Sequence, residues 1–101
     1  MKSILQDKKV CLICGSPYVE EHHILPGTAN RRKCEAMGLK CYLCHEHHQG
    51  KTGAHQNKAL RLRLERMAQE KFESTHTHEE WMNIFHKNYI GGDEIGKKEK
   101  L

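Results

Sequence analysis

The sequence predicts a small α+β domain stapled by a metal, with a long helix and a second, short C-terminal helix. Three observations carry that prediction. Cys11-Leu12-Ile13-Cys14-Gly15 reads as a metal-binding turn, Val19–Leu25 and Leu39–Leu43 read as short strands, and residues 56–73 carry a helical apolar stripe.

A staple is expected on size alone. The chain has 101 residues, of which 37% are hydrophobic and 30% charged, a thin apolar supply for one domain. Domains this small bury too little surface to be comfortable without a covalent or metal link. No stretch is long and apolar enough to span a membrane, and residues 1–9 lack the apolar core of a signal peptide. The expected setting is a reducing cytoplasm, where C-x-x-C spacing and an odd number of Cys point to metal binding rather than disulfides. A formal charge of +4 suits a polyanionic partner.

Residues 1–10, polar with scattered Ile4, Leu5 and Val10, form a loose lead-in. Residues 11–90 form the domain. Within it, residues 11–57 hold all five Cys and both Pro and read mostly as loop around the two strands. From Gln56 to Glu73 the pattern becomes helical: Leu60, Leu64, Met67, Ala68 and Phe72 share one face, and Arg61, Arg63, Glu65, Arg66 and Glu70 cover the rest. Thr77 with Glu80 three residues later forms a capping box that opens the short helix, which runs to about Lys87 and buries Trp81, Ile84 and Phe85. His76, His78 and His86 around it are surface or capping residues. Gly91-Gly92 ends the ordered part, and residues 91–101 form a flexible tail.

Cys11 and Cys14 can hold one metal from a single turn, supplying half a tetrahedral site. The other half comes from later in the chain, and spacing alone allows either Cys41 with Cys44 or Cys44 with His47. The competing reading of Cys11 and Cys14, a redox pair, needs an alternating β/α chain that the pattern lacks.

The sharpest feature is Glu21-His22-His23-Ile24-Leu25-Pro26. Neighbouring side chains on a strand point to opposite faces, so one His is free to bind a metal while the other does a different task. The second cluster is Cys44-His45-Glu46-His47-His48, followed by Lys51-Thr52 and His55. His47 and His48 are expected to diverge in the same way.

His22-His23-Ile24-Leu25-Pro26 followed by Leu43-Cys44-His45-Glu46-His47-His48-Gln49-Gly50-Lys51-Thr52 resembles the HNH (ββα-metal) endonuclease pattern. From Cys11 to about His55 the chain is most similar to a phage branch of that superfamily, the recombination-enhancement RecA-dependent nucleases. The resemblance implies a zinc-stapled ββα-metal domain. Its Lys-Thr register makes His48 a ligand of the catalytic ion and His47 a ligand of structural zinc, with Cys11, Cys14 and Cys44; taking Cys41 with Cys44 would instead make His45 the catalytic-ion ligand. It further implies that His22 binds the catalytic ion and His23 is the general base. His55 is a third ligand, although seven residues from His48 and with Gly50 and Gly53 between them. The middle Asn of the pattern has no match at its usual place; Asn30 is the one Asn between the clusters and would hold the loop through backbone groups.

The expected function is therefore metal-dependent nicking or cutting of DNA, with a structural Zn²⁺, a catalytic Mg²⁺ or Mn²⁺, and a RecA filament as the further partner that the resemblance implies. A neutral imidazole can accept a proton from water at cellular pH. Arg31, Arg32 and Lys33, placed in the loop between the His clusters, and Lys40, Lys51, Lys58 and Arg61 around the site are the expected phosphate contacts. The alternative is a non-catalytic zinc module that binds DNA or a recombination protein.

Overall fold

A computed structural model describes residues 1–90; the expected flexible tail lies outside the described residues. The element order is β1 (Glu20–His23), α1 (Thr28–Met37), β2 (Lys40–Leu43), α2 (His45–Gln49), α3 (Lys58–Glu73) and α4 (His78–Phe85). No helix among these residues is long and apolar enough to cross a membrane.

The two strands pair antiparallel, with Glu20 opposite Leu43, His22 opposite Cys41 and His23 opposite Lys40. Both are shorter than the sequence pattern. Ile24 and Leu25 leave the strand but stay buried, carrying the chain into the core as it turns toward α1.

The α1 helix corrects the expected loop. Arg31, Arg32 and Lys33 lie on it rather than between elements. Its only buried residue is Cys34, so it has no apolar stripe, and Gly27 supplies no side-chain cap. It stops at Gly38, which adopts the left-handed φ of 73° that glycine reaches without strain and returns its N–H to the Cys34 carbonyl.

The lead-in is bonded, not loose. Ser3 Oγ donates to the Lys40 carbonyl, Ile4 N–H to the Gly38 carbonyl at 2.9 Å, and Tyr42 N–H to Gln6 Oε1 at 2.7 Å. Ile4 and Leu5 pack on the core.

As expected, α3 buries Leu64, Ala68 and Phe72, while Asn57 caps it by accepting the Leu60 N–H at 3.0 Å. Buried Gln69 is satisfied by Glu73, Asn88 and the Tyr89 N–H. Thr77 and Glu80 form the expected capping box of α4. That helix ends at Phe85 rather than near Lys87, because His86 turns left-handed with φ 61°. Trp81 is fully buried between Phe72 and Phe85, and its indole N–H donates to the Lys87 carbonyl at 2.8 Å. His76 stacks on Phe72, and His78 pairs with Glu73 at 2.8 Å.

Candidate metal centres

Among the described residues, three groups of metal-ligating side chains form around the sheet, of which one, Glu21, His23 and Glu35, already holds the Lys40 ammonium. In the first of the other two, Cys11, Cys14, Cys44 and His47 each offer a ligand atom, all within 4.8 Å of one another. The turn after Cys11 closes through Gly15 N–H to the Cys11 carbonyl, and the Leu12 N–H donates to the Tyr42 carbonyl, seating the turn beside β2. A tetrahedral zinc with Zn–S of about 2.3 Å holds its sulfurs about 3.8 Å apart. Cys14 Sγ and Cys44 Sγ are 3.8 Å apart, and His47 Nδ1 lies 3.6 Å from Cys11 Sγ and 3.2 Å from Cys44 Sγ. Three thiols and one imidazole at these separations fit zinc.

Burial works to raise the Cys11 thiol, but backbone hydrogen bonds at Cys44, Cys14 and Ile13, aided by His47, outweigh it and bring the thiol down to about 6. That favours the thiolate a metal needs. Cys41 is the contrast: burial and the neighbouring Cys11 push it up to about 12. It is fully buried opposite His22, and His47 rather than Cys41 completes the group that could hold a metal. Cys34, also buried, is a second spare thiol.

The second set is His22, His48 and His55. Their ring centroids lie 5.1 Å (His22–His48), 5.3 Å (His22–His55) and 4.7 Å (His48–His55) apart. His48 Nε2 and His55 Nε2 are 3.1 Å apart. His22 Nε2 is buried with no hydrogen-bond partner, a costly state for an imidazole unless something binds it. Burial, then the neighbouring His48 and His55, holds the His22 pKa down to about 4, so its lone pair is available at neutral pH.

Helix α2 separates the two sets. Adjacent residues on a helix project about 100° apart, so His47 reaches the sulfur cage and His48 the imidazole group. The divergence is as expected, but a helix produces it rather than a strand.

Residues the sequence reading did not single out position these groups. Glu20 Oε1 accepts from His48 Nδ1 at 2.7 Å, and Glu20 Oε2 accepts from His45 Nδ1 at 3.0 Å. Those bonds hold the Glu20 carboxyl below its ordinary value. They also keep the His48 proton on Nδ1, leaving Nε2 for a metal. His45, exposed and bound to Glu20, belongs to neither set.

His55 arrives by a tight loop. Ala54 N–H donates to the His47 carbonyl at 2.8 Å and His55 N–H to the His48 carbonyl at 3.2 Å. Thr52 Oγ1 donates to Glu46 Oε2 at 2.8 Å. The backbone of Gly53 lies so close to α2 that a Cβ there would meet the Glu46 carbonyl oxygen at 2.6 Å.

His23 sits on the other face of β1. Its Nε2 donates to Glu35 Oε1 at 2.9 Å. Lys40 Nζ, on a buried side chain, pairs with Glu35 at 3.0 Å and Glu21 at 3.1 Å. Hydrogen bonds from His23 and then Lys40 hold the Glu35 carboxyl down at about 2. A cleft of about 540 Å³ joins the two faces, lined by Glu21, His22, His23, Arg31, His48 and His55. Asn30 Nδ2 donates to the Pro26 carbonyl at 2.8 Å, the backbone-holding bond expected of it.

The expected phosphate contacts divide. Arg31, Arg32, Lys51 and Lys58 are exposed, and Arg61 is half-buried. Lys33 and Lys40 require correction. Lys33 Nζ donates to the Ile84 carbonyl at 2.7 Å and sits over the Phe85 ring, tying α1 to α4. Lys40 is neutralised by its two carboxylates. Both ammonium groups serve the fold.

Compared with known proteins, the chain matches no family model, no curated protein and no solved structure.

Proposed function

We propose that the protein is a metal-dependent nuclease that hydrolyses phosphodiester bonds in DNA, of the HNH type, with a separate structural zinc. The observation that carries the reading is the unpartnered, buried Nε2 of His22, grouped with His48 and His55 on an open cleft and apart from the sulfur cage. A structural cage closes around its ion, whereas a catalytic one leaves positions for water and substrate. Two strands and α2 flanking three imidazoles agree with the ββα-metal arrangement that the sequence resemblance implies.

In this reading His22, His48 and His55 would hold a divalent ion, which would supply charge stabilisation to the scissile phosphate and the departing 3′ oxygen. Glu20 fixes the tautomer of His48. His23 gives its Nε2 proton to Glu35, so Nδ1 is the nitrogen left to take a proton from water. Arg31 on the cleft wall is placed to receive phosphate. Three imidazoles without a carboxylate suit Zn²⁺, Ni²⁺ or Fe²⁺ better than Mg²⁺ or Mn²⁺, which prefer oxygen ligands. The donor set therefore favours these ions over the expected Mg²⁺ or Mn²⁺.

Plasmid nicking with each of these ions, in zinc-loaded protein, tests the proposal. Cutting that falls at least a hundredfold in His23→Ala, with fold and cage zinc retained, is the expected result. Absence of cutting with every ion would instead favour the second reading, a zinc module that binds DNA without cleaving it. That reading draws on the same nitrogen-only set, which also suits a second structural zinc. The resemblance extends the proposal to RecA-coated DNA in a phage recombination setting, and the same assay with RecA filaments tests that extension.

A further inference from the structure

A groove of about 450 Å³ lies between α3 and the segment after α4, away from the sheet, lined by Lys58, Arg63, Arg66, Lys87 and Tyr89 among others. Its cationic side chains include Lys58, Arg63 and Lys87, and among the described residues no carboxylate lines it. Arg63 stands five residues along α3 from Lys58, a rise of about 7.5 Å, the span of about two phosphates along one strand. Lys87 forms the opposite wall, its ammonium 5.2 Å from the Tyr89 ring centre. Glu65, whose field reaches Lys87, is buried.

The groove starts beside the imidazole cleft. Lys58 is three residues from His55, so their Cα atoms are at most about 11 Å apart. Arg61, on the first turn of α3, acts electrostatically on His55. Lys58 and Arg63 thus lead away from the cleft along α3. Arg63, Arg66 and Lys87 were not among the phosphate contacts expected from sequence.

We infer that this groove is a backbone track that holds one nucleic-acid strand and leads it to the imidazole cleft. The Arg63 guanidinium fork matches phosphate oxygens, and Lys58 and Lys87 add the charge that a polyanionic strand neutralises. The half-buried Tyr89 and exposed Leu62 give the strand's sugars an apolar surface without a base-reading pocket. Binding here is therefore strong in charge and weak in sequence preference. The track rests on the nucleic-acid part of the reading above and not on catalysis.

The test uses the full chain with cage zinc and the His23→Ala substitution throughout, so that cutting does not intrude. Binding of a labelled duplex and a labelled single strand is measured by anisotropy across a salt series. Lys58→Gln, Arg63→Gln and Lys87→Gln are combined in one variant. Lys2→Gln, Lys8→Gln and Lys71→Gln, all exposed and outside the groove, are combined in a control that loses the same charge. Each lost phosphate contact lowers the slope of log affinity against log salt by about 0.7 to 0.9. The track variant should lose about 2 to 3 units of slope and at least tenfold in affinity at low salt, while the control keeps the parent slope. Equal losses in both variants, an unchanged track variant, or no binding of either DNA by the parent would overturn the track. Failure to cut plasmid, by contrast, would sink only the nuclease.

Discussion

His55 Nε2 lies 3.1 Å from His48 Nε2, although seven residues of chain separate them. The His48 proton is committed on the opposite side of its ring to Glu20. Its lone pair therefore faces His55 and, beyond it, the unpartnered His22 nitrogen. Glu20 is thus the outer support of the imidazole group, because an imidazole of the wrong tautomer presents a proton where an ion should bind.

Replacing Glu20 by Gln removes the charged acceptor but keeps the shape. Cobalt or zinc affinity of the imidazole group should fall 10- to 100-fold, the usual range for such outer partners. The cage should keep its zinc, since Glu20 touches none of its ligands. Metal titration of protein already loaded at the cage reads both. Unchanged affinity in Glu20→Gln would remove Glu20 from the site.

The cage makes a different prediction for two cysteines three residues apart. Cys44→Ala deletes a ligand, and a structural zinc contributes on the order of 10 kcal/mol to folding. A domain with about 5–15 kcal/mol of total stability would not stay folded without it. Cys41→Ala removes only a small buried sulfur, at a cost of about 1–2 kcal/mol. Zinc content and thermal unfolding of the pair should therefore diverge. If Cys41→Ala lost the zinc as Cys44→Ala does, Cys41 and not His47 would be the fourth ligand.

Gly53 connects the two centres. Its N–H donates to the Gly50 carbonyl, and a Cβ there would press on the backbone of Glu46 and His47. Backbone cannot give way as a flexible side chain can. Gly53→Ala should cost about 1–3 kcal/mol in stability and should displace His55 from His48. Weaker metal binding at the imidazole group, with the cage intact, is the expected signature in the same titration. A variant with wild-type stability and metal affinity would show that the loop tolerates the shift.

Much of this arrangement was legible in the residues. Cys11 with Cys14, the His22-His23 alternation, the stripe from Leu64 to Phe72 and the Thr77–Glu80 box are local patterns, set by spacing alone. Helix α1 was not legible, because it buries one residue, Cys34, and starts without a side-chain cap. It is tied down by the Gly38 turn at its C-terminal end and by Lys33 reaching α4, neither of which leaves a period in the sequence. Helix α2 has only five residues, too few to display a 3.6-residue repeat. The tasks of Glu20, Glu35 and Lys40 depend on partners five to twenty-eight positions away. Charge type alone does not announce such pairings, and it made Lys40 look like a phosphate contact when it is an internal counter-ion.

Among the cage thiols, Cys11 is the one that resists acid. Burial would raise this thiol, but the backbone hydrogen bonds at Cys44, Cys14 and Ile13 and the contact with His47 bring it from 9.0 to about 6. The folded value is thus the lower one. Between the two values the unfolded chain binds more protons than the folded chain, so stability rises with pH across that window. The contribution is fully present above about 9 and is lost as the pH falls through about 6. A bound ion competes with the proton for the same sulfur and moves release lower still. Zinc should therefore stay bound at pH 7 and leave below pH 6, with loss of helical signal following the zinc. A zinc-sensitive dye and circular dichroism, read on the same acid titration, measure the two events. Release beginning above pH 7 would mean that Cys11 does not hold the ion against protonation of Cys14, whose thiol the Ser16 backbone N–H would lower but the hydrogen bond with Cys11, desolvation and Cys44 together raise.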